Sequence, residues 1–307
     1  MKTRVLVGVI CLPILFAILF WAPPIFFTIL VALICAISAI ELIQAAGMPK
    51  NLRVRIYVIL SAILIPFIVH QSYQWGFSSI VFGISRWTMH TLLIASWDMF
   101  WVISLPSVAP LILIFLIFFE AAIAYKTERQ ITFNQVLAAL FGATLMPHML
   151  SSLVSIRLIY DAGRYMLLIP IICAFFTDAG AYFSGYLFGK RKAFPHISPK
   201  KTVAGCVGGL ITGALMLVLF GTVINLATHH PADLILLALI GIVGAAFTQL
   251  GDLAFSFIKR EYNVKDFGKL IPGHGGMLDR FDSLFFAAPV IYLMLTTLPA
   301  MTLNIQR

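Results

Sequence analysis

The sequence predicts an all-α polytopic membrane protein, and three observations support this fold class. Hydrophobic residues make up 61% of the 307 residues and charged residues only 11%, whereas a soluble domain carries about 25% charged residues. The mean hydropathy is +1.00. Several apolar runs approach or exceed the roughly 20 residues that a helix needs to cross a bilayer. We therefore expect one bundle of membrane helices rather than several soluble domains.

Nine apolar segments are predicted to span the membrane. The first follows a basic start and resembles a signal peptide, but no A-x-A-like cleavage site follows it, so we expect it to be retained. We divide the spans into N-terminal helices at 1–155 and C-terminal helices at 156–307, which hold the polar motifs. The predicted spans cover residues 5–21, 24–46, 54–72, 108–125, 133–153, 165–188, 203–225, 232–256 and 280–299.

Basic residues in the connections predict the orientation of the helices. Lysine and arginine collect at the N-terminus and near 50–55, 126–129, 190–201 and 259–269, and such loops are typical of the cytoplasmic side. The N-terminus is therefore expected in the cytoplasm. The loop with Arg157 and Arg164 would then lie outside, which is a mild exception to the charge rule.

The segment 78–105 is rich in tryptophan and polar residues, which favours an interfacial helix. The alternative is a tenth span, which would reverse the orientation of every later helix.

The net charge of +9 is explained by these basic loops, so we expect no nucleic-acid partner. The four cysteines lie in or beside apolar segments and show no C-x-x-C spacing. They predict neither a disulfide framework nor a thiolate metal site. They are Cys11, Cys35, Cys173 and Cys206.

Three polar stretches interrupt the apolar pattern, all near the predicted cytoplasmic face. The first, TDAGAYFSGYLFGK, places Asp178 inside the sixth span. An intramembrane carboxylate is costly and indicates function, although a satisfied interhelical hydrogen bond is the alternative. Asp178 and Tyr182 would share one helix face. Gly180 and Ser184 would share another, which would allow close helix packing.

The second stretch, SPKKT, has the residues of a helix N-terminus. Ser198 suits the N-cap and Pro199 the first helical position. Lys200 and Lys201 would then lie in the first turn, where they oppose the helix dipole but could hold an anion. We interpret the stretch as a phosphate clamp, with an ordinary helix start as the alternative.

The third stretch begins near the end of the eighth span. Gln249, Asp252 and Ser256 recur with the spacing of one helix face, and Lys259 and Arg260 follow at the membrane edge. A PGHGG loop comes next, and its glycines would let a ligand approach the backbone closely.

Two acids, Asp279 and Asp282, flank Arg280 at the start of the last span. Carboxylates without cysteine or paired histidines suit Mg²⁺, which takes one or two carboxylates together with water and substrate phosphates. Lysine and arginine would neutralise the remaining phosphate charge. The combination predicts phosphoryl or nucleotidyl transfer with a lipid as one substrate. A helix-start ion pair or a solvated loop would explain each part alone, but not the whole run.

The run SFIKREYNVKDFGKLIPGHGGMLDRFD, which begins at Ser256, resembles the signature of the phosphatidate cytidylyltransferase (CDP-diacylglycerol synthase) family. TDAGAYFSGYLFGK and ISPKKT are similar to the other marks of that family, and the resemblance is clear over about 165–285. Ala204 and Tyr186 depart from it, since the family usually has glutamate and often arginine there. The residues that fill the signature are Ser256, Lys259, Arg260, Lys265, Asp266, Pro272, His274, Gly275, Gly276, Asp279, Arg280 and Asp282.

The resemblance implies that phosphatidic acid and CTP give CDP-diacylglycerol and pyrophosphate, with Mg²⁺ required and room for a second cation. It implies metal binding by Asp252, Asp279 and Asp282, and further catalytic roles for Lys259, Arg280 and His274. The role of His274 is open between phosphate contact, proton donation and loop shape. Binding of substrate phosphates is implied for Ser198, Lys200, Lys201, Ser256, Arg260, Lys265, Asp266, Gly275, Gly276 and Asp178.

The same resemblance implies a multi-pass protein of the bacterial cytoplasmic (inner) membrane, with its active site facing the cytoplasm and a homodimeric assembly. Three other classes are alternatives. A CDP-alcohol phosphotransferase would need a longer aspartate motif than this chain has. An ion-coupled transporter would suit Asp178, but no inverted repeat is visible. A lipid kinase that uses CTP stays open.

Overall fold

The structure is a computed structural model that describes residues 13, 15–48, 51–74, 96–159, 163–227, 232–270 and 275–298. These residues form helices and one short β-hairpin. A helical segment at 15–20 precedes the labelled elements. The elements are α1 (Pro24–Ala45), α2 (Leu52–Gln74), α3 (Ser96–Ile123), α4 (Phe133–Leu140), a π-helical turn (Phe141–Leu145), α5 (Met146–Ile159), α6 (Gly163–Met166), α7 (Leu168–Phe188), β1 (Lys192–Phe194), β2 (Ser198–Thr202), α8 (Val203–Ala227), α9 (Leu234–Glu261) and α10 (Leu278–Thr297).

Six helical segments among the described residues are long and apolar enough to cross a membrane. They coincide with the second, third, fifth, sixth, seventh and eighth predicted spans, so the prediction of a helical, multi-pass membrane protein is confirmed. The number of nine spans and the orientation stay predictions. The six segments are Pro24–Ala45, Leu52–Ser72, Phe133–Leu158, Gly163–Phe188, Val203–Ala227 and Leu234–Glu261.

The remaining predicted spans differ from these six. Most of the first lies outside the described residues. The fourth corresponds to a shorter apolar stretch, Pro110–Ile123, inside a helix that runs without a break from Ser96 to Ile123. Residues 96–105 of the expected interfacial segment therefore continue into that helix, whereas 75–95 lie outside the described residues. The ninth span forms helix α10.

The described residues fall into two compact units. The first unit contains the chain up to Ile159 together with the segment Leu270–Leu278. The second unit runs from Tyr160 to Lys269 and continues from Asp279 onward. The chain thus leaves the second unit after Lys269, contributes one segment to the first, and returns at Asp279.

Within the first unit, α1 packs on α2 and α5, and α2 also contacts α3. Two side-chain hydroxyls illustrate how polar groups are bonded inside this apolar packing. The hydroxyl of Thr28 lies 2.7 Å from Nδ1 of His70, and the hydroxyl of Ser61 donates to the carbonyl of Ala143 at 2.8 Å. Such bonds join helices where no water is available to satisfy the groups.

Within the second unit, small residues bring α7, α8 and α9 close together. Gly180 of α7 lies directly against Thr212 of α8, and Ser184 lies against Gly208. The predicted small face of the sixth span is therefore confirmed. A Cβ at Gly241 of α9 would lie 2.6 Å from the Cα of Ala214, so the α8–α9 contact also requires glycine.

The predicted helix start at SPKKT is wrong. Residues Ser198–Thr202 form strand β2, which pairs antiparallel with β1 so that Lys192 faces Thr202. Helix α8 begins only at Val203, and the hydroxyl of Thr202 accepts the N–H of Gly205 at 3.1 Å. Thr202 is thus the N-cap, because the backbone of 198–202 is bonded to a neighbouring strand and cannot also form a helical turn.

Candidate active site

The candidate site lies in the second unit and is built from side chains of four elements. Helix α7 carries Asp178, strand β2 carries Lys201, and α9 carries Asp252. Helix α10 carries Asp279 and Asp282. No single stretch of sequence holds this set, so the packing of the second unit assembles it.

Gly251 lets α9 and α10 approach each other beside the acids. A Cβ at this position would lie 2.8 Å from the carbonyl oxygen of Asp282 and 3.1 Å from Cβ of Phe286. A backbone oxygen cannot move aside as a flexible side chain can, so the position excludes a larger residue. This contact places Asp252, the next residue, near Asp282.

Asp252 forms an ion pair with Lys201. Its Oδ2 lies 2.7 Å from the Nζ of Lys201, and the two side chains are 31% and 22% exposed. The other carboxylate oxygen accepts a hydrogen bond from Ser256 at 3.3 Å. A predicted metal ligand is thus paired with a predicted phosphate-binding lysine, and both are accessible enough to change partners.

Three interacting carboxylates, those of Asp178, Asp252 and Asp282, form a cluster that we call the acidic cluster. Asp178 and Asp282 each interact electrostatically with Asp252 and with one another. The hydroxyl of Ser283 lies 3.3 Å from Asp178 and 3.5 Å from Asp282, and it can donate to one of them at a time. Like charges repel at short range, so such a group favours the binding of cations.

Asp279 has a different environment from the three aspartates of the acidic cluster. Its side chain is only 5% exposed and its Oδ1 lies 3.0 Å from the Nζ of Lys259. Its Oδ2 accepts the backbone N–H of Phe267 at 2.9 Å. Lys259 also lies 5.6 Å from the centre of the Phe267 ring, within the range of a cation–π contact. The pair therefore fixes the loop after α9 to the start of α10.

Phe255 packs against the residues that carry this arrangement. It is fully buried, and its ring centre lies 6.1 Å from that of Phe267, 5.6 Å from that of Phe285 and 6.2 Å from that of Phe286. Aromatic rings in such tilted and edge-on contacts pack favourably. The cluster thus holds α9, α10 and the loop together one turn from Asp252 and Lys259.

The other predicted site residues have less specific surroundings. Arg260 donates to the carbonyl of Ile197 at 3.3 Å and so ties the hairpin to the end of α9. Gly275 has a φ of 87°, which explains the glycine at that position. Pro272 and His274 lie outside the described residues. Four further predicted site residues have exposed side chains: Lys200, Lys265, Asp266 and Arg280.

Several features were not recognised from the sequence. Ser283 between two acids was missed, although its position directly after Asp282 was a usable signal. Gln249 was expected on the face of Asp252 but donates to the carbonyl of Cys206 at 3.0 Å, so it serves the packing of α8 and α9. Tyr182 was expected beside Asp178 but is 68% exposed and makes an edge contact with Phe183.

The donor set of the second unit suits a hard cation. Within the described residues, no group of three or more histidine, cysteine, aspartate or glutamate side chains is arranged so that it could hold a metal ion. Mg²⁺ needs only one or two carboxylates when substrate phosphates and water complete its shell. The carboxylate and hydroxyl oxygens of Asp252, Asp282 and Ser283 therefore fit Mg²⁺ chemically, and the three-aspartate site stays a prediction.

Comparisons with known proteins indicate the family of the chain. Residues 2–298 match the model of the "Cytidylyltransferase family". Three similar curated proteins are all named phosphatidate cytidylyltransferase: that of Bacillus subtilis is 39% identical over 53% of this chain and 60% of its own length, that of Staphylococcus saprophyticus is 44% identical over 43% and 50%, and that of Rickettsia felis is 34% identical over 53% and 72%.

The match covers 60% of the length of the first of these relatives and 50% of the second. Ala204 and Tyr186, which depart from the family pattern, lie at the start of α8 and near the end of α7, and Tyr186 is 80% exposed. The family model nevertheless extends over nearly the whole sequence. The chain is therefore a member of the cytidylyltransferase family.

Proposed function

We propose that the protein is a phosphatidate cytidylyltransferase, which makes CDP-diacylglycerol from phosphatidic acid and CTP. One observation carries the proposal: two predicted metal ligands each form an ion pair with a lysine of the predicted site. The pairs are Asp252 with Lys201 at 2.7 Å and Asp279 with Lys259 at 3.0 Å. The names of the curated relatives support the choice of the two substrates.

In the proposed reaction, a phosphate oxygen of phosphatidic acid forms a bond to the α-phosphorus of CTP. The bond from that phosphorus to the oxygen that bridges to the β-phosphate breaks, and pyrophosphate leaves with the bonding electrons. Phosphatidate is already an anion, so the reaction does not require a strong general base. The protein's contribution is then to hold both substrates in line and to stabilise the negative charge.

The two lysines are proposed to exchange partners when CTP binds. Lys201 and Lys259 neutralise Asp252 and Asp279 in the structure as it stands. A triphosphate would attract both lysines, and the aspartates would become free to hold Mg²⁺. When bound, Mg²⁺ would supply positive charge to the reacting and leaving phosphates. The exchange keeps the charge of the site balanced at each stage.

We propose supporting roles for the residues around these pairs. Asp282 acts as a third metal ligand or orients the other two, and Asp178 is held beside it by Ser283. The remaining predicted site residues would bind substrate phosphates or shape the loop that does so. They are Ser198, Lys200, Ser256, Arg260, Lys265, Asp266, His274, Gly275, Gly276 and Arg280.

The membrane setting is part of the proposal. The basic hairpin at 190–201 and the basic end of α9 favour the cytoplasmic side for the site, where CTP is present. The inner membrane of a bacterium and a homodimer follow from the family resemblance alone.

The proposal is tested by measuring pyrophosphate release from purified protein in detergent with phosphatidic acid, CTP and Mg²⁺. We expect release to require all three components. Asp279→Ala should lower the rate by about a hundredfold or more, the effect of losing one preorganised charged group in an active site. Glu261→Gln is the control, because Glu261 is an exposed acid at the end of the same helix as Asp252.

The products separate the proposed function from its rivals. Pyrophosphate together with a CDP-lipid supports it, whereas CDP together with a phosphorylated lipid would show a CTP-dependent lipid kinase. No turnover by folded wild-type protein, with several lipids, would overturn the proposal. Equal rates for Asp279→Ala and Glu261→Gln would remove Asp279 from the active site.

A further inference from the structure

Glu41 of α1 binds the chain where α10 begins. Its Oε1 accepts the backbone N–H of Met277 at 3.0 Å and its Oε2 accepts that of Leu278 at 2.8 Å. The residues are 236 and 237 positions apart in sequence. All three belong to the first unit, which includes the segment Leu270–Leu278. Because α10 starts at Leu278, these N–H groups have no acceptor within their own helix.

The position of Glu41 has no explanation within α1 itself. It is the single charged residue of Pro24–Ala45 and is only 5% exposed. It lies towards the C-terminal end of α1, where the helix dipole disfavours a negative charge. A buried carboxylate is costly unless it accepts hydrogen bonds. The N-terminus of α10 supplies both the donors and a favourable dipole.

The bonds from Glu41 fix the point at which α10 starts. Asp279, Arg280 and Asp282 all follow within its first five residues. An α-helix turns about 100° per residue. If the chain slipped by one residue past Glu41, so that other N–H groups met its carboxylate, each of these side chains would therefore rotate away from its place. Asp279 could then no longer meet both Lys259 and the N–H of Phe267.

We propose that Glu41 is a positioning residue: its carboxylate sets the register of α10 and thereby the placement of Asp279 and Asp282. The structural part of this proposal rests on the two hydrogen bonds of Glu41. The expected effect on catalysis rests on the proposed cytidylyl transfer. Glu41 touches neither substrate in this proposal. It acts through the first turn of α10, from a part of the chain that the signature does not include.

The test compares Glu41→Ala and Glu41→Gln with a matched control, Glu120→Gln. Glu120 is a second buried glutamate of the first unit, 7% exposed, and its contacts are Asn51 and Arg53 rather than α10. Hydrogen exchange of the intact protein in detergent is measured for the peptide that contains 275–282. We expect Met277 and Leu278 to exchange about tenfold faster or more in Glu41→Ala, since a tenfold change corresponds to about 1.4 kcal/mol.

Kinetics on the same proteins provide the second readout. We expect the kcat of Glu41→Ala to fall about ten- to a hundredfold while the KM for CTP changes less than about threefold, since misplaced acids affect the transition state more than binding. Glu41→Gln keeps one acceptor oxygen and should recover part of the loss. Glu120→Gln should leave both exchange at 275–282 and kcat unchanged.

Each outcome decides between the proposals. Unchanged exchange in both Glu41 variants would overturn the positioning role, and so would an equal loss of kcat in Glu120→Gln. If Glu41→Ala does not fold, Glu41→Gln carries the comparison, because it has the same shape. If the wild type releases no pyrophosphate, the proposed function fails, while the exchange measurement still tests the contact between Glu41 and α10.

Discussion

The acids of the first unit and those of the second unit have different surroundings. Glu41 and Glu120 are 5% and 7% exposed. Backbone N–H groups hold Glu41, and Asn51 and Arg53 hold Glu120 at 3.3 and 3.4 Å. In the second unit, the side chain of Asp252 is 31% exposed and forms an ion pair with Lys201. It also interacts electrostatically with Asp178 and Asp282.

The difference shows how the same kind of group serves two purposes. A buried acid that is bonded to backbone N–H groups, as Glu41 is, stabilises one arrangement of the chain, because releasing it would leave a charge without compensation. An accessible acid among other acids is bonded to flexible lysines, which can move to another anion. Asp279 lies between these classes, since it is buried but one of its partners is Lys259.

The largest effect that tests this comparison is expected from Lys201→Met. We expect kcat/KM for CTP to fall about ten- to a hundredfold, the range for one lost charge-assisted contact to a phosphate. Mg²⁺ should bind more tightly in the absence of CTP, because Lys201 no longer competes for Asp252. Initial rates at varied CTP and Mg²⁺ measure both quantities.

Lys192→Met is the control for this substitution, since Lys192 is an exposed lysine on the neighbouring strand of the same hairpin. It should change both quantities little. If Lys201→Met alters neither the dependence on CTP nor that on Mg²⁺, the Lys201–Asp252 pair is structural, as the Arg53–Glu120 pair is, and the comparison fails.

A smaller effect is expected from Gly251→Ala. The new methyl group would lie 2.8 Å from the carbonyl oxygen of Asp282, so α9 and α10 must separate. We expect a loss of about 1–3 kcal/mol in the free energy of unfolding and a clear loss of activity. Thermal unfolding in detergent and pyrophosphate release are the measurements.

Gly244→Ala separates the two effects of Gly251→Ala. Gly244 lies on the same helix, and its new methyl group would meet side-chain atoms of Cys173 and Ile291 at 2.9 Å. We expect a loss of stability but little change in the kcat of the protein that stays folded. Equal losses of kcat in the two variants would show that the spacing at Asp282 has no special role.

The smallest effect is expected from Thr28→Val in the first unit. The substitution removes the hydroxyl that lies 2.7 Å from Nδ1 of His70. We expect a loss of about 0.5–1.5 kcal/mol in stability and no change in kcat, because the pair serves packing alone. A selective loss of activity at unchanged stability would contradict the purely structural role of this pair.

Much of the second unit could be predicted from the sequence because its signals are local. Apolar length indicated the helices α7, α8 and α9, and the spacing of Gly180 and Ser184 indicated the close contact with α8. The aspartates of the signature were recognisable by type and order. The start of α8 was not, because Ser198 and Pro199 have the properties of a helix start, whereas pairing with β1 decides the conformation.

The contacts between distant parts of the sequence could not be predicted. Glu41 was a usable signal, as a single acid in an apolar helix, but its partners are 236 and 237 residues away. Nothing in the spacing of residues 249–282 shows that Asp279 binds Lys259 and the N–H of Phe267, or that Ser283 lies between Asp178 and Asp282. Such contacts depend on how helices pack, which local patterns do not encode.

The route of the chain, in which Leu270–Leu278 belongs to the first unit, has a consequence for biosynthesis. The ribosome makes α1 long before it makes this segment, so closing the contact to Glu41 is a late and non-local folding step. A nascent chain that stops before Met277 lacks this contact and all of α10. Because α10 carries Asp279 and Asp282, the candidate site of the proposed function would be complete only after α10 has been made.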